Sequence, residues 1–213
     1  MRMPAPTFDK LPKEKRTAIL TAAMEVFGGS DYRHASTDMI AVKAGISKGL
    51  LFYYFHNKKE LYLRCYDFVY ELVYAALDEK RLAAITDFFD LMSYGARVKL
   101  QMVKDYPYIL DFSVRAFYSN GEEVSEDAQK HTAVMTGEQL GTYLVNLDYS
   151  RFRPEIDPAY MMQMLVWMTD GYLHQKMLAG GKLDIDDVMK NFNYWAKQFK
   201  RLAYKEETDE EGH

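Results

Sequence analysis

The sequence predicts an all-α fold. Apolar residues recur at helical spacing along almost every long segment, and clear turn signals separate those segments. Ile19, Ala23, Val26 and Phe27 fall at i, i+4, i+7 and i+8. Leu61, Cys65, Phe68 and Leu72 repeat the helical period, as do Met164, Trp167, Met168, Gly171 and Tyr172 near the C-terminus. The separators are Gly28-Gly29-Ser30-Asp31, Gly45, Asn57, Tyr106-Pro107, Asn120-Gly121, Pro154 with Pro158, and Gly180-Gly181. No hairpin turn lies between alternating strands, and the pattern predicts about nine helices without an internal repeat.

With 213 residues the chain can bury a core without disulfides or a structural metal, and its single cysteine, Cys65, has no internal partner. The densest apolar segments, Leu50 to Phe55 and Ala159 to Met168, are too short or interrupted by Gln163, and none approaches the ~18 to 20 residues that span a bilayer. The N-terminus carries no signal-peptide pattern, so the expected location is the cytoplasm, away from membranes. Charge is uneven. Residues 1–64 hold 11 Lys+Arg against 6 Asp+Glu, whereas residues 65–213 hold 16 against 25. The whole chain is acidic, with a pI near 5.8, yet the local field of its first third is positive.

The first 55 residues divide into three short helices, about Leu11 to Phe27, Ser36 to Lys43 and Ser47 to Tyr54. Ser36 can cap the second, Gly45 can end it in the left-handed conformation, and Ser47 can cap the third. Two helices joined by so short a turn cross steeply, either as a helix-turn-helix or as an ordinary corner of a bundle. The third helix favours the former. It packs six large apolar or aromatic residues, Leu50 to Phe55, into under two turns. A helix packed on one side buries Leu51 and Phe55 with Ile46, which leaves Leu50, Phe52, Tyr53 and Tyr54 outside or at the margin. Exposed aromatics beside Lys48, Lys58 and Lys59 suit a surface that meets DNA, where hydroxyl and ammonium groups reach phosphates and apolar groups touch thymine methyls. Gly49, without a side chain near the helix start, lets the backbone approach a duplex while first-turn N–H groups face phosphate oxygens.

These residues resemble the TetR family of bacterial transcriptional regulators. The likeness covers about residues 12–62, with Thr37-Asp38-Met39-Ile40-Ala41, Ala44-Gly45-Ile46-Ser47-Lys48-Gly49 and Tyr54-Phe55-His56-Asn57-Lys58-Lys59-Glu60-Leu61 at its centre. It implies a cytoplasmic homodimer that binds a double-stranded DNA operator, with residues 1–56 as the DNA-binding domain. Residues 57–204 then form a ligand-binding and dimerisation domain, and 205–213 an acidic, disordered tail. Thr37, Ser47, Lys48, Gly49, Tyr53 and Lys58 align with positions that usually contact DNA, and the outward-facing Leu50, Phe52 and Tyr54 join them as candidates. Phe52 and Tyr54 stand where the family usually has Tyr and His. The resemblance further implies repression relieved by a small molecule, no cofactor, and a helix from about Asn57 to Arg81 that links the two parts. A ligand that prefers one separation of the recognition helices changes DNA affinity by its differential affinity for the two states.

Residues 85–204 are rich in aromatics and methionine, which serve either as bundle core or as walls for a mainly apolar effector. The candidates are Phe89, Met92, Phe112, Met135 and Trp167. Asp170 and His174, four apart, share the helix face of Trp167 and either orient a ligand or form a polar pair at an edge. Arg97, Arg115 and Glu138 are further polar candidates. Helices expected over about Pro158 to Ala179 and Ile185 to Tyr204 carry apolar stripes that suit an intramolecular core or a four-helix dimer contact.

Enzyme signatures are missing: no phosphate loop, dinucleotide fingerprint, His-Glu-x-x-His or CxxC pair occurs, and His34, His56, His131, His174 and His213 are dispersed. Neither catalysis nor a metal site is expected. Cys65, on an apolar helix face, reads as a buried, inert thiol. The alternative to a DNA-binding regulator is a helical protein-interaction module.

Overall fold

The structure, a computed structural model, describes residues 8–118, 124, 126, 127, 130, 144–179 and 184–206. Met135, Glu138 and the tail beyond Glu206 lie outside the described residues. Nine α-helices are present among the described residues: α1 (Lys13–Gly29), α2 (Thr37–Lys43), α3 (Lys48–Phe55), α4 (Lys58–Ala76), α5 (Glu79–Ala84), α6 (Phe88–Asp105), α7 (Tyr108–Tyr118), α8 (Pro158–Leu178) and α9 (Ile185–Ala203). Short 3-10 turns span Phe8–Lys10 and Tyr149–Arg151. Extended pairing among the described residues is limited to one antiparallel bridge, Phe152 to Tyr204. The all-α expectation is met.

The described residues fall into two compact units, one drawn from Met1–Ala76 and Met102–Gln139, the other from Leu77–Gln101 and Leu140–His213. In the first, α1 to α4 and α7 close on one core that includes Ile19, Leu20, Met24, Phe27, Ile40 and Leu51, with Leu61 and Phe112. The thiol of Cys65 is fully buried there, and burial pushes its pKa up. Helix α7 lies against α1 so closely that a Cβ built on Gly28 would stand 2.9 Å from the Phe112 backbone nitrogen. The Arg115 Nε donates to the Gly28 carbonyl at 3.0 Å across the same approach.

Asn57 begins α4 by accepting from the Glu60 backbone N–H at 2.8 Å, while its Nδ2 donates to the Glu60 carboxylate at 3.2 Å. The continuous helix expected to Arg81 is broken: α4 stops at Ala76 and α5 starts at Glu79. The cause is Asp78. Its carboxylate accepts from the Lys80 and Arg81 N–H groups, which makes it the cap of a new helix, and its own N–H donates to the Tyr94 hydroxyl at 2.9 Å.

The second unit is organised around Asp87, a buried carboxylate. It caps α6 by accepting from the Phe89 and Asp90 N–H groups, and it meets Arg151 Nη1 at 2.6 Å and Lys200 Nζ at 2.8 Å. Burial alone would raise its pKa. The hydrogen bond from Lys200, the Asp90 N–H and the charges of Lys200 and Arg151 outweigh that and hold it below the ordinary carboxylate range. Beside it Phe88, Phe89, Phe152 and Tyr204 form an aromatic cluster with ring centroids 4.9 to 6.1 Å apart.

Two stability outcomes are expected. Gly28→Ala forces two backbones apart and lowers stability by about 1–3 kcal/mol in urea unfolding. Asp87→Ala removes a cap and a buried anion with two cationic partners, and costs about 2–4 kcal/mol. Because the Asp87 pKa is depressed in the folded state, its contribution is present above the unfolded value near ~4 and is lost as pH falls through the folded one. The variant lacks that component of the acid transition, which unfolding curves recorded at several pH values report.

Candidate nucleic-acid interface

The turn between α2 and α3 is built from local chemistry. Ser36 accepts from the Met39 N–H at 3.3 Å to start α2. Gly45, at φ 66°, turns the chain in the left-handed region, and Ile46 N–H closes back on the Ala41 carbonyl at 3.0 Å. Ser47, two residues after the glycine, then accepts from the Leu50 N–H at 3.1 Å and so starts α3. All three assignments agree with the sequence reading.

Helix α3 is fastened by one stripe. Leu51 and Phe55 are buried, and Ile46 packs partly against the same core. Ser47, Lys48, Gly49 and Tyr53 are exposed, with Tyr53 half open to solvent, while Leu50, Phe52 and Tyr54 lie at the margin. Thr37, in the first turn of α2, is half-buried. A Cβ on Gly49 would approach no atom more closely than 4.0 Å, so nothing within the protein requires a glycine there. This contrasts with Gly28, where packing demands one.

Four lysines here are tied down. Lys48 Nζ lies 2.9 Å from Asp38 Oδ2, which joins the start of α3 to the start of α2. Lys58 donates to the Arg33 carbonyl at 3.2 Å and sits 4.8 Å from the centre of the Tyr32 ring. Lys43 pairs with Glu25 at 2.8 Å, and that hydrogen bond raises the lysine's pKa; Lys59 pairs with Asp127. The sequence reading missed these partners because they lie 10 or more residues away along the chain or outside any short motif. It also passed over Met39 and Val42, two exposed apolar side chains on α2.

Between α3 and α4 the chain reverses over one residue. His56 has φ 52° and ψ −43°, Asn57 N–H donates to the Phe55 carbonyl, and the His56 ring meets Glu60 at 3.0 Å. This is a γ-turn, a strained conformation for a residue with a side chain.

The effector candidates are dispersed. Phe112 is enclosed by the rings of Phe27, Tyr62 and Tyr66 in the core of the first unit, so it supports helix packing there. Phe89 is likewise buried in the aromatic cluster of the second unit. Met92 is half-buried on α6. On α8, Trp167 is 48 % exposed and meets Tyr160 edge to face, Asp170 is half-buried, and His174 is exposed. Burial raises the Asp170 carboxyl pKa, and the opposing charge of Lys99 on α6 works against that rise. Lys99 was not singled out in the sequence, where only the α6 periodicity points to its face. A groove of about 500 Å³ in the second unit is lined by Phe88, Phe152, Ile156, Pro158 and Met162, and by none of the effector candidates. No group of three metal-ligating side chains is clustered among the described residues, and none of their helices is long and apolar enough to cross a membrane.

Known proteins share this arrangement. The family model of bacterial regulatory proteins of the tetR family matches residues 19–65, which span α3 and both helices that hold it. The HTH-type transcriptional activator FasR of Mycolicibacterium smegmatis is 34% identical over 166 residues, covering 68% of this chain and 74% of that protein. The HTH-type transcriptional regulator RutR of Escherichia coli is 34% identical over 98 residues, 44% of this chain and 43% of that protein. Among solved structures, the fatty acid degradation regulator FadR of Bacillus halodurans superposes with a TM-score of 0.65 at 17% identity, covering 84% of this chain and 96% of that one. FadR of Bacillus subtilis, solved in complex with stearoyl-CoA, gives 0.62 at 14% identity over the same shares. These two structures share the fold. With a relative of this similarity along most of its length, and with the family model matching across its helix-turn-helix, the chain belongs to the TetR family of DNA-binding transcriptional regulators.

Proposed function

We propose that this regulator is a cytoplasmic homodimeric repressor that leaves a double-stranded operator when a small, mainly apolar effector binds. Residues 1–56 bind DNA, and residues 57–204 dimerise and take the effector. One observation carries the DNA half: α3 is anchored by the buried Leu51 and Phe55, with Tyr54 resting in part on Phe8, and turns Lys48, Gly49 and Tyr53 outward, with a glycine that the protein's own packing does not need. Thr37, Ser47, Lys48, Tyr53 and Lys58 meet phosphates, while Leu50, Phe52 and Tyr54 line the groove side.

The dimer reading is supported by exposed apolar side chains on the last two helices, Tyr160, Val166, Trp167 and Met168 on α8 and Tyr194 and Leu202 on α9. A bare Gly171 on α8, with open space where its Cβ would be, permits close approach of a partner helix. The effector reading rests on the aromatic and methionine-rich composition of residues 85–204, within which Met92, Trp167, Asp170 and His174 keep accessible surface, and a long acyl chain is the effector class that FadR of Bacillus subtilis suggests by analogy. An activator is the second reading, favoured by the description of FasR as one.

Footprinting the purified protein on DNA upstream of its own gene, with selection from a random library if that region is not protected, tests the proposal. A palindromic site with half-sites about one helical turn or more apart is expected. Binding everywhere no tighter than to scrambled duplex would instead favour a helical interaction module. A reporter under that site, with and without long-chain acyl compounds, separates repression from activation. Lys48→Ala and Lys58→Ala should each weaken binding to all sequences and flatten the slope of log K against log salt by up to about one unit per lost phosphate contact. Gly49→Ala should leave the melting temperature unchanged or slightly higher, since alanine is the better helix former, and should weaken DNA binding. An unchanged affinity would show that the start of α3 does not approach the duplex.

A further inference from the structure

The lysine that the proposed function brings to phosphate is already in contact with an anion. Lys48 occupies the first position of α3, where a positive charge opposes the helix dipole, and the Asp38 carboxylate 2.9 Å away offsets it. The side chains are 51% and 67% exposed, so the pair lies at the surface on the same turn-to-turn edge as Ser47 and Gly49. Exposed pairs of this kind add little to folding stability. Its position therefore matters more than its strength. A phosphate that reaches Lys48 must compete with a carboxylate, and the displaced carboxylate stays beside the DNA backbone as a like charge.

We propose that Asp38 is an affinity-setting residue, an internal stand-in for a DNA phosphate that lowers the grip of α3 on any duplex. The inference rests on the proposed placement of α3 against DNA. Its consequence follows from counterion release: a lysine that arrives paired with its own carboxylate neutralises less phosphate charge, so fewer counterions leave the DNA and binding is both weaker and less dependent on salt. Base contacts are untouched by this device, because nearly all of the sequence-independent term comes from phosphate charge. Lys43 and Lys59 are held by Glu25 and Asp127 in the same way.

The test compares wild type, Asp38→Asn, Lys48→Ala and the double variant on the footprinted duplex and on a duplex of random sequence, across a salt series. Asparagine keeps the shape at the start of α2, and melting curves check that each variant folds. Asp38→Asn should tighten binding to both duplexes by about two- to fivefold at low salt and steepen the log–log salt slope by up to about one unit. The gain should vanish in the Lys48→Ala background. Unchanged or weaker binding by Asp38→Asn, while Lys48→Ala weakens binding, overturns the inference alone. The same gain with and without Lys48 overturns it too, since the carboxylate would then act only as distant charge. If Lys48→Ala leaves affinity and slope unchanged, the placement of α3 on DNA fails and takes the inference with it.

Discussion

A helix of eight residues does not persist in water by itself, and α3 is of that length. Its existence depends on burying Leu51 and Phe55, and its direction depends on the same two contacts. Everything else in the first unit serves that burial. Helices α1, α2 and α4 line the core that receives the two side chains, and α7 closes the core from the far side of α1. Since Leu51 and Phe55 do most of the anchoring, with Tyr54 resting in part on Phe8, the exposed positions Lys48, Gly49 and Tyr53 are released from packing and open to chemistry. The aromatic crowding of Leu50 to Phe55 is thus two sets of residues with different duties, interleaved at the helical period.

That division was legible in the sequence because each of its determinants is local. A capping serine, a glycine in the left-handed region and an i, i+4 apolar pair act within a few residues, and Ser36, Gly45, Ser47, Leu51 and Phe55 all behave as their spacing implies. What was not legible is what the fold brings together from afar. Asp87 gives no sign in sequence of the cations it collects, one of them 64 residues away, and Lys48 gives none of Asp38. Asp78 misled for a different reason: a short acidic residue amid helix formers supports continuation or a new cap equally, and the Tyr94 hydroxyl that engages its N–H lies in another helix.

In the second half of the chain, composition is ambiguous. Aromatics and methionines announce apolar volume without saying whether side chains or a ligand fill it. Phe89 and Phe112 turned out to fill it themselves, whereas Trp167, Asp170 and His174 keep accessible surface on α8. Lys99, whose charge acts on Asp170, belongs to a different helix, and only three-dimensional proximity discloses it. Sequence periodicity identifies which side of a helix is apolar, but which neighbour covers it is a property of topology.

The reversal at His56 has a mechanical meaning. A loop of several residues would let α3 and α4 reorient independently, each absorbing the other's motion in its own backbone torsions. Here only His56, in a γ-turn, and Asn57 separate them, and the Asn57 side chain is locked onto Glu60 on the far side. Helices α3 and α4 are in effect one bent rod. A length change at this joint, even by one residue, would rotate the exposed side of α3 about its axis rather than simply lengthen a linker, so the spacing from Ser47 to Leu61 is a gauge that this helix pair must keep.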